Sequence, residues 1–232
     1  MYSRIEQSFP RNVSVVEIVQ LPGLTPYVAA WELQREMHDA VVAGECDSVI
    51  FLLEHAPVYT AGRRTHIAEF PTNGTEVLPV DRGGKITWHG PGQLVAYPII
   101  KLREPIDVIE FLRRLEAAVI EVCSGYGLAG MRVPGRSGVW LSAQGGANND
   151  DSPLEKVCAV GARVARNVTM HGLALNCDPD LTAFDAIVPC GIDDADVTSL
   201  SRATGNHITV AEARPLLAAA LVTNLTPQLA HG

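Results

Sequence analysis

Lysine is the residue this chain has least use for: only Lys85, Lys101 and Lys156 stand against fifteen arginines. Any general cationic surface role therefore falls to arginine, and each lysine invites a specific explanation. A basic balance is lacking too. The net charge of −8 argues against general affinity for nucleic acid, whose phosphates require a concentrated basic face. The local clusters Arg63-Arg64, Arg113-Arg114 and Arg163 to Arg166 read either as solvated surface or as docks for an acidic partner. Cys46, Cys123, Cys158, Cys177 and Cys190 are odd in number and contain no Cys-x-x-Cys pair. Neither a disulfide framework nor a metal site is indicated, and reduced thiols are expected. No apolar run is long enough to span a bilayer, and Met1 to Arg11 lacks the features of a secretory signal, so the expectation is a soluble, cytoplasmic protein with no membrane association. Repeats, linkers and composition breaks are missing as well. With 47% apolar and 19% charged residues, the chain reads as a single domain over 1–232, with a flexible tail at 1–12 and a mobile hairpin loop at 142–153.

What is present is a mixture of strand and helix signals. Residues 13 to 19 and 48 to 53 read as strands, and Thr25-Pro26 between them opens a helix that ends near Gly44, with proline at the first helical position. A long irregular stretch is expected from Glu54 to Thr75, then short strands around 77 to 81, 85 to 88 and 94 to 100. Asp107-x-x-Glu110 starts an amphipathic helix that should end near Gly127. Strands around 136 to 141, 155 to 164 and 168 to 176 complete a sheet, and a short helical stretch is expected around Leu181 to Ala186. Thr209-x-x-Glu212 opens a last helix in which Pro215 demands a kink or a later start. The fold class is α/β (α+β), a mixed β-sheet flanked by helices.

Chemistry concentrates in two places. Asp81 to Gln93 packs four glycines between two apolar strands, which suits a loop that offers main-chain donors to a ligand. Period-two alternation puts Lys85, Thr87 and His89 on one side of its short strand. The bland alternative is a pair of tight turns. Val188-Pro-Cys-Gly191 holds the Cys190 thiol on a rigid corner with neighbouring N–H groups free, as a nucleophile beside an oxyanion site requires. The other four cysteines fit the description of small core hydrophobes. A thiol with its ordinary pKa is mostly protonated at neutral pH, so a nucleophile needs a cation or base nearby. Lys156, opening the strand Lys-Val-Cys-Ala-Val-Gly, is the candidate for that role, the alternative being an unpaired surface lysine. Alternation groups Val157, Ala159 and Gly161 on one face, Gly172, Ala174 and Asn176 on another, and His171, Leu173 and Leu175 opposite the latter. The small residues leave either a slot for an acyl chain or room for a closely packed helix.

Taken together, Arg82 to Gln93, Gly135 to Trp140, Lys156 to Gly161, His171 to Asn176 and Val188 to Gly191 resemble the bacterial LipB family of lipoyl(octanoyl) transferases. Five motifs in order, spread over about Leu53 to Leu200, are far more specific than any one. Tyr59-Thr-Ala-Gly-Arg-Arg64 looks actinobacterial. The resemblance implies the catalytic core shared with biotin protein ligases and lipoate-protein ligases, and a monomer that works without a cofactor. It implies an acyltransferase of lipoate biosynthesis, moving octanoate from octanoyl-acyl carrier protein to a lysine of a lipoyl domain through a thioester. The acceptors implied are the lipoyl domains of 2-oxoacid dehydrogenase complexes and the glycine cleavage H protein. On this reading Cys190 is the nucleophile and Lys156 its activator. The substrate-binding segments implied are Arg82, Gly83, Gly84, Lys85, Ile86, Thr87, Trp88 and His89, then Ala159, Val160 and Gly161, then Gly172, Leu173 and Ala174. Cys177 is a departure, a second thiol without the Pro-Cys-Gly corner, and Arg63 with Arg64 are candidates for docking the carrier. Three rivals remain: an ATP-dependent lipoate-protein ligase, a non-catalytic acyl-binding module, and a cysteine hydrolase using His89 or His171.

Overall fold

The computed structural model describes residues 3–5, 16–66, 69–71, 75–143, 153–187 and 196–229. Three segments with sequence expectations lie outside the described residues: most of the expected tail, most of the hairpin loop, and 188–195 with Cys190.

The chain begins with strands β1 (Ser3–Ile5) and β2 (Glu17–Thr25), helix α1 (Tyr27–Ala43), and strands β3 (Val49–His55), β4 (Val58–Ala61), β5 (Val77–Pro79), β6 (Ile86–His89) and β7 (Gln93–Ile99). Helix α2 (Val108–Gly125) leads to β8 (Met131–Val133), β9 (Arg136–Ser142), β10 (Leu154–Ala165), β11 (Val168–Asn176) and β12 (Asp196–Val197), and α3 (Leu200–Thr204) and α4 (Val210–Leu225) follow. The large sheet has the order β1-β2-β3-β7-β11-β10-β9-β8, with β12 beside β10. It is mixed: β2 with β3 and β10 with β12 are parallel, the other pairs antiparallel. A second sheet has the order β5-β4-β6. This is the mixed α/β sheet expected, with helices on both faces.

Alternation sorts the side chains between those faces. Ile50, Leu52, Leu94, Leu173 and Leu175 meet Phe111, Leu115, Val119 and Leu217 of α2 and α4. Phe51, Leu53, Val95, Tyr97 and Ala174 meet α1. Helix ends follow local chemistry: the Asp107 carboxylate accepts from Glu110 N at 2.9 Å, Gly44 closes α1 with a left-handed φ of 74°, and Thr209 with Glu212 forms a full capping box on α4.

Four expectations change. The stretch from Glu54 to Thr75 contains β4, a strand too short for periodicity to reveal between Pro57 and Gly62. Strand β8 was hidden for the same reason. Strand β2 runs on through Pro22-Gly23 with a register shift between Gln20 and Leu24, so that Pro26 is the cap of α1 rather than its first helical residue. Helix α4 starts where the capping box says and continues through Pro215, which forgoes one main-chain hydrogen bond.

Candidate active site

A cavity of about 190 Å³ opens between the glycine-rich segment and strands β10 and β11. Lys85, Thr87 and His89 line one wall, while Ile86 and Trp88 on the other side of β6 pack with Phe184 and Ile187. Alternation on this strand is thus as the sequence implies. Arg82 and Gly84 also line the cavity and Gly83 does not. Buried Arg82 braces the loop: Nη2 donates to the carbonyl and hydroxyl oxygens of Thr60 at 2.9 Å, and Nη1 to Gly83 O at 3.0 Å. Gly83 N donates to Ala162 O at 3.1 Å, which fastens the loop to β10. Lys85 is ion-paired with Glu69.

The opposite wall pairs Ala159 with Ala174 and Gly161 with Gly172 across the ladder, and Val160, Leu173 and His171 complete it. The two glycines admit close main-chain approach rather than simply widening a slot. A Cβ on Gly161 would lie 2.8 Å from Gly83 O, and one on Gly172 2.3 Å from Ala96 O. Both line the cavity together with Ala159 and Ala174.

Two residues leave the faces that alternation assigns. Val157 packs with Cys158 and Val160 in the α2–α4 core, not beside Ala159 and Gly161. The ladder to β9 shifts register between Lys156 and Cys158, a bulge that reverses the side-chain sense. The same bulge brings Lys156, 6% exposed, to the cavity with Ala159 and Gly161. Its Nζ lies 4.5 Å from the Trp140 ring centroid. His171 adopts φ 59° and turns from the Leu173 side to Trp31 and Tyr97, where Nε2 donates to Asp81 Oδ1 at 2.8 Å.

Behind the cavity lies a buried polar layer. His55 Nδ1 donates to Thr25 O at 2.9 Å and Nε2 accepts from the Tyr97 hydroxyl at 2.7 Å. Burial pushes the His55 pKa down to about 4, so the ring is neutral. His89 Nδ1 donates to Gln93 Oε1 at 2.7 Å, Gln93 Nε2 to Asn176 Oδ1 at 2.9 Å, and Asn176 Nδ2 to Thr198 O at 2.9 Å. Burial, with the neighbouring His55 ring and the Arg82 charge behind it, keeps His89 well below its ordinary value. Its Nε2 is thereby left as a lone-pair acceptor. The hydrogen bond from His171, assisted by Arg163, holds Asp81 down at about 2, and burial keeps His171 itself below the usual imidazole range. Tyr27 and Tyr97 close this side of the cavity. Sequence reasoning passed over both tyrosines, because each looks like ordinary core beside apolar neighbours.

The three buried thiols are held in the protonated form. Burial pushes Cys123 and Cys177 up to about 12 and Cys158 well above its ordinary value. Cys177 sits in the α2–α4 core, away from the cavity lining. Of Arg63 and Arg64, both exposed, Arg64 lines the cavity and Arg63 does not. Neither makes an ion pair among the described residues. Among those residues no cluster of potential ligands could hold a metal, and no helix is long and apolar enough to cross a membrane.

Residues 26–222 match the model of the lipoyl protein ligase A/B catalytic domain. An octanoyltransferase of Acidothermus cellulolyticus is 55% identical over 205 residues, 88% of this chain and 90% of the relative. One from Mycobacterium tuberculosis is 54% identical over 225 residues, 97% of this chain and 94% of the relative. Among solved structures, a bi-partite lipoate protein ligase from Thermoplasma acidophilum superposes with a TM-score of 0.65 at 14% identity, covering 89% of this chain and 82% of that one. Biotin protein ligase from Aquifex aeolicus gives 0.54 at 13%, covering 90% and 69%. These two carry the fold alone.

Proposed function

The chain belongs to the lipoyl protein ligase A/B catalytic-domain family and is an acyltransferase of the octanoyltransferase kind; from this we propose that it moves an octanoyl group from octanoyl-acyl carrier protein to a lysine of a lipoyl domain through a thioester on Cys190. The acceptors are the lipoyl domains of 2-oxoacid dehydrogenase complexes and the glycine cleavage H protein.

The observation that carries this reading is Lys156, buried at the edge of a partly apolar cavity in a chain with almost no other lysine. Val197 is the parallel ladder partner of Lys156 and packs into the cluster of Trp88, Phe184 and Ile187. Cys190 follows Ile187 by three residues, a covalent reach of roughly 11 Å. The two described ends of the cysteine segment therefore share one apolar cluster, and one of them is paired to Lys156.

In the first half-reaction the Cys190 thiolate, paired with the Lys156 ammonium, attacks the carrier thioester carbonyl. The carbon–sulfur bond to the carrier breaks, and the departing thiol takes a proton from Lys156. Acyl transfer between thiols is nearly isoenergetic. In the second, the incoming lysine amine attacks the enzyme thioester, the now neutral Lys156 accepts its proton, and Cys190 leaves as thiolate. Amide formation makes this half favourable without ATP. The acyl chain occupies the cavity between Ala159–Ala174 and the wall of Thr87 and His89, while the main chain around Gly83–Gly84 and the edge at Gly161 and Gly172 bracket it.

Mass spectrometry tests this. Octanoyl-acyl carrier protein alone should place one octanoyl group on Cys190 of the intact protein, and a lipoyl domain should then discharge it as an amide. A requirement for ATP with pyrophosphate release would make the protein a ligase instead. Free octanoate in place of the amide would make it a hydrolase, and no acylation at all would leave a binding module.

A further inference from the structure

Helix α2 buries an apolar face into the core, yet Glu116 sits on that face with 1% exposure. Leaving water is costly for a carboxylate unless its oxygens are all occupied, and here they are divided between two tasks. Oε2 takes Arg113 Nη1 at 2.7 Å and Arg132 Nε at 3.3 Å. Oε1 takes the main-chain N–H of Gly138 at 2.9 Å. Gly138 has φ 113°, a conformation that side chains resist. A Cβ there would lie 2.4 Å from Cys158 O and 3.4 Å from Lys156 Cε. It faces the bulge where the ladder shifts register between Lys156 and Cys158. The Lys156 stem passes over this glycine, and its ammonium ends above the Trp140 ring.

We propose that Glu116 is a positioning residue for Lys156: by holding the Gly138 N–H from the far side of the sheet, it maintains the positive-φ backbone of β9 opposite the bulge, which gives the lysine its path to the cavity. The consequence rests on the role of Lys156 proposed above, but the placement itself does not. A displacement of an ångström at a proton-transferring group is worth up to about a hundredfold in rate.

The chain's scarcity of lysine makes the placement directly visible. With 13C-labelled lysine the protein has three Cε–Hε correlations, one per lysine, and that of Lys156 should be moved upfield by the indole ring beneath it. Glu116→Gln retains an oxygen for Gly138 and should preserve both this signal and the rate of acylation by octanoyl-acyl carrier protein. Glu116→Met removes the acceptor. Glu116→Asp retains the charge for the arginines but falls a methylene short of Gly138, and decides the matter should the methionine variant fail to fold. In either, the signal should move toward the free-lysine position and acylation should slow by about tenfold or more. The double variant Arg113→Gln/Arg132→Gln should lower the melting temperature while leaving signal and rate in place. An unmoved Lys156 signal in folded Asp and Met variants overturns the proposal, as does an equal movement in the arginine variant. A signal that moves with no change in rate upholds the positioning and refutes instead the catalytic role given to Lys156.

Discussion

The two faces of the large sheet are built for different purposes. Toward α2 and α4 the interior is a continuous apolar layer around Phe111, Leu115, Leu175 and Leu221, interrupted by Glu116. Toward α1 the apolar layer is smaller, and beyond it lie buried polar groups, with His89, Gln93 and Asn176 hydrogen-bonded in a chain, His55 to Tyr97 and His171 to Asp81. Burying so many polar groups adds less stability than burying leucines in the same volume. One face therefore stabilises the fold, while the other accepts a cost in stability to shape a cavity.

That division predicts which substitutions act on activity and which on stability. The largest effect is expected at Lys156→Ala, which should slow Cys190 acylation by about a thousandfold or more with the melting temperature little changed, a loss read by single-turnover mass spectrometry. Lys156→Arg should not restore the rate, since guanidinium holds its charge but does not exchange protons at neutral pH. Full activity in that variant would leave Lys156 an electrostatic role only. On the other face Phe111→Ala should cost about 3–5 kcal/mol in urea unfolding, with the acylation rate per folded molecule maintained. A large rate loss there would blur the division.

Acid should find the polar face first. The His55 pKa is about 4 in the folded protein against 6.5 for the free side chain. As pH falls from 6.5 toward 4, the unfolded chain therefore binds a proton that the native protein does not. Stability falls with pH in that window, by on the order of 3 kcal/mol from this one group. Unfolding free energies measured across the window should show the decline, to which buried His89 and His171 add in the same direction, and His55→Gln should make it shallower; an identical slope in the variant would assign the decline to the other groups. The smallest effect is expected at the surface. Because Arg64 lines the cavity and exposed Arg63 does not, Arg63→Glu is the cleaner probe of docking. It should slow acylation by the carrier protein by about tenfold at low salt, leave a small neutral octanoyl thioester unaffected, and matter less as salt rises. Equal losses with both donors would remove Arg63 from docking.

Much of the site was legible in local chemistry. The alternation of Lys85, Thr87 and His89 and the caps at Asp107, Thr209 and Gly44 all depend on neighbours within a few residues, so the sequence states them almost directly. Strand β4 was lost because four residues between a proline and a glycine carry no readable period. Tyr27 and Tyr97 were lost because a tyrosine facing a cavity and one facing a core are written alike. His171 was assigned to the wrong face because alternation assumes extended φ throughout, whereas the Asp81 and Gln34 contacts hold this residue left-handed.

By itself the sequence determined that this chain is a mixed α/β fold, with a glycine-rich loop, three lysines each in need of an explanation and four thiols fit for a core. Those follow from composition, spacing and the conformational range of single residues. Only the tertiary structure decided that Lys156 reaches the cavity. Its sense along β10 is reversed by a bulge opposite Gly138, whose N–H is held by Glu116, twenty-two residues earlier on a helix across the sheet. Side-chain direction in a strand is a property of the ladder it belongs to, and a register shift imposed by a neighbouring strand leaves no mark in the period of its own residues.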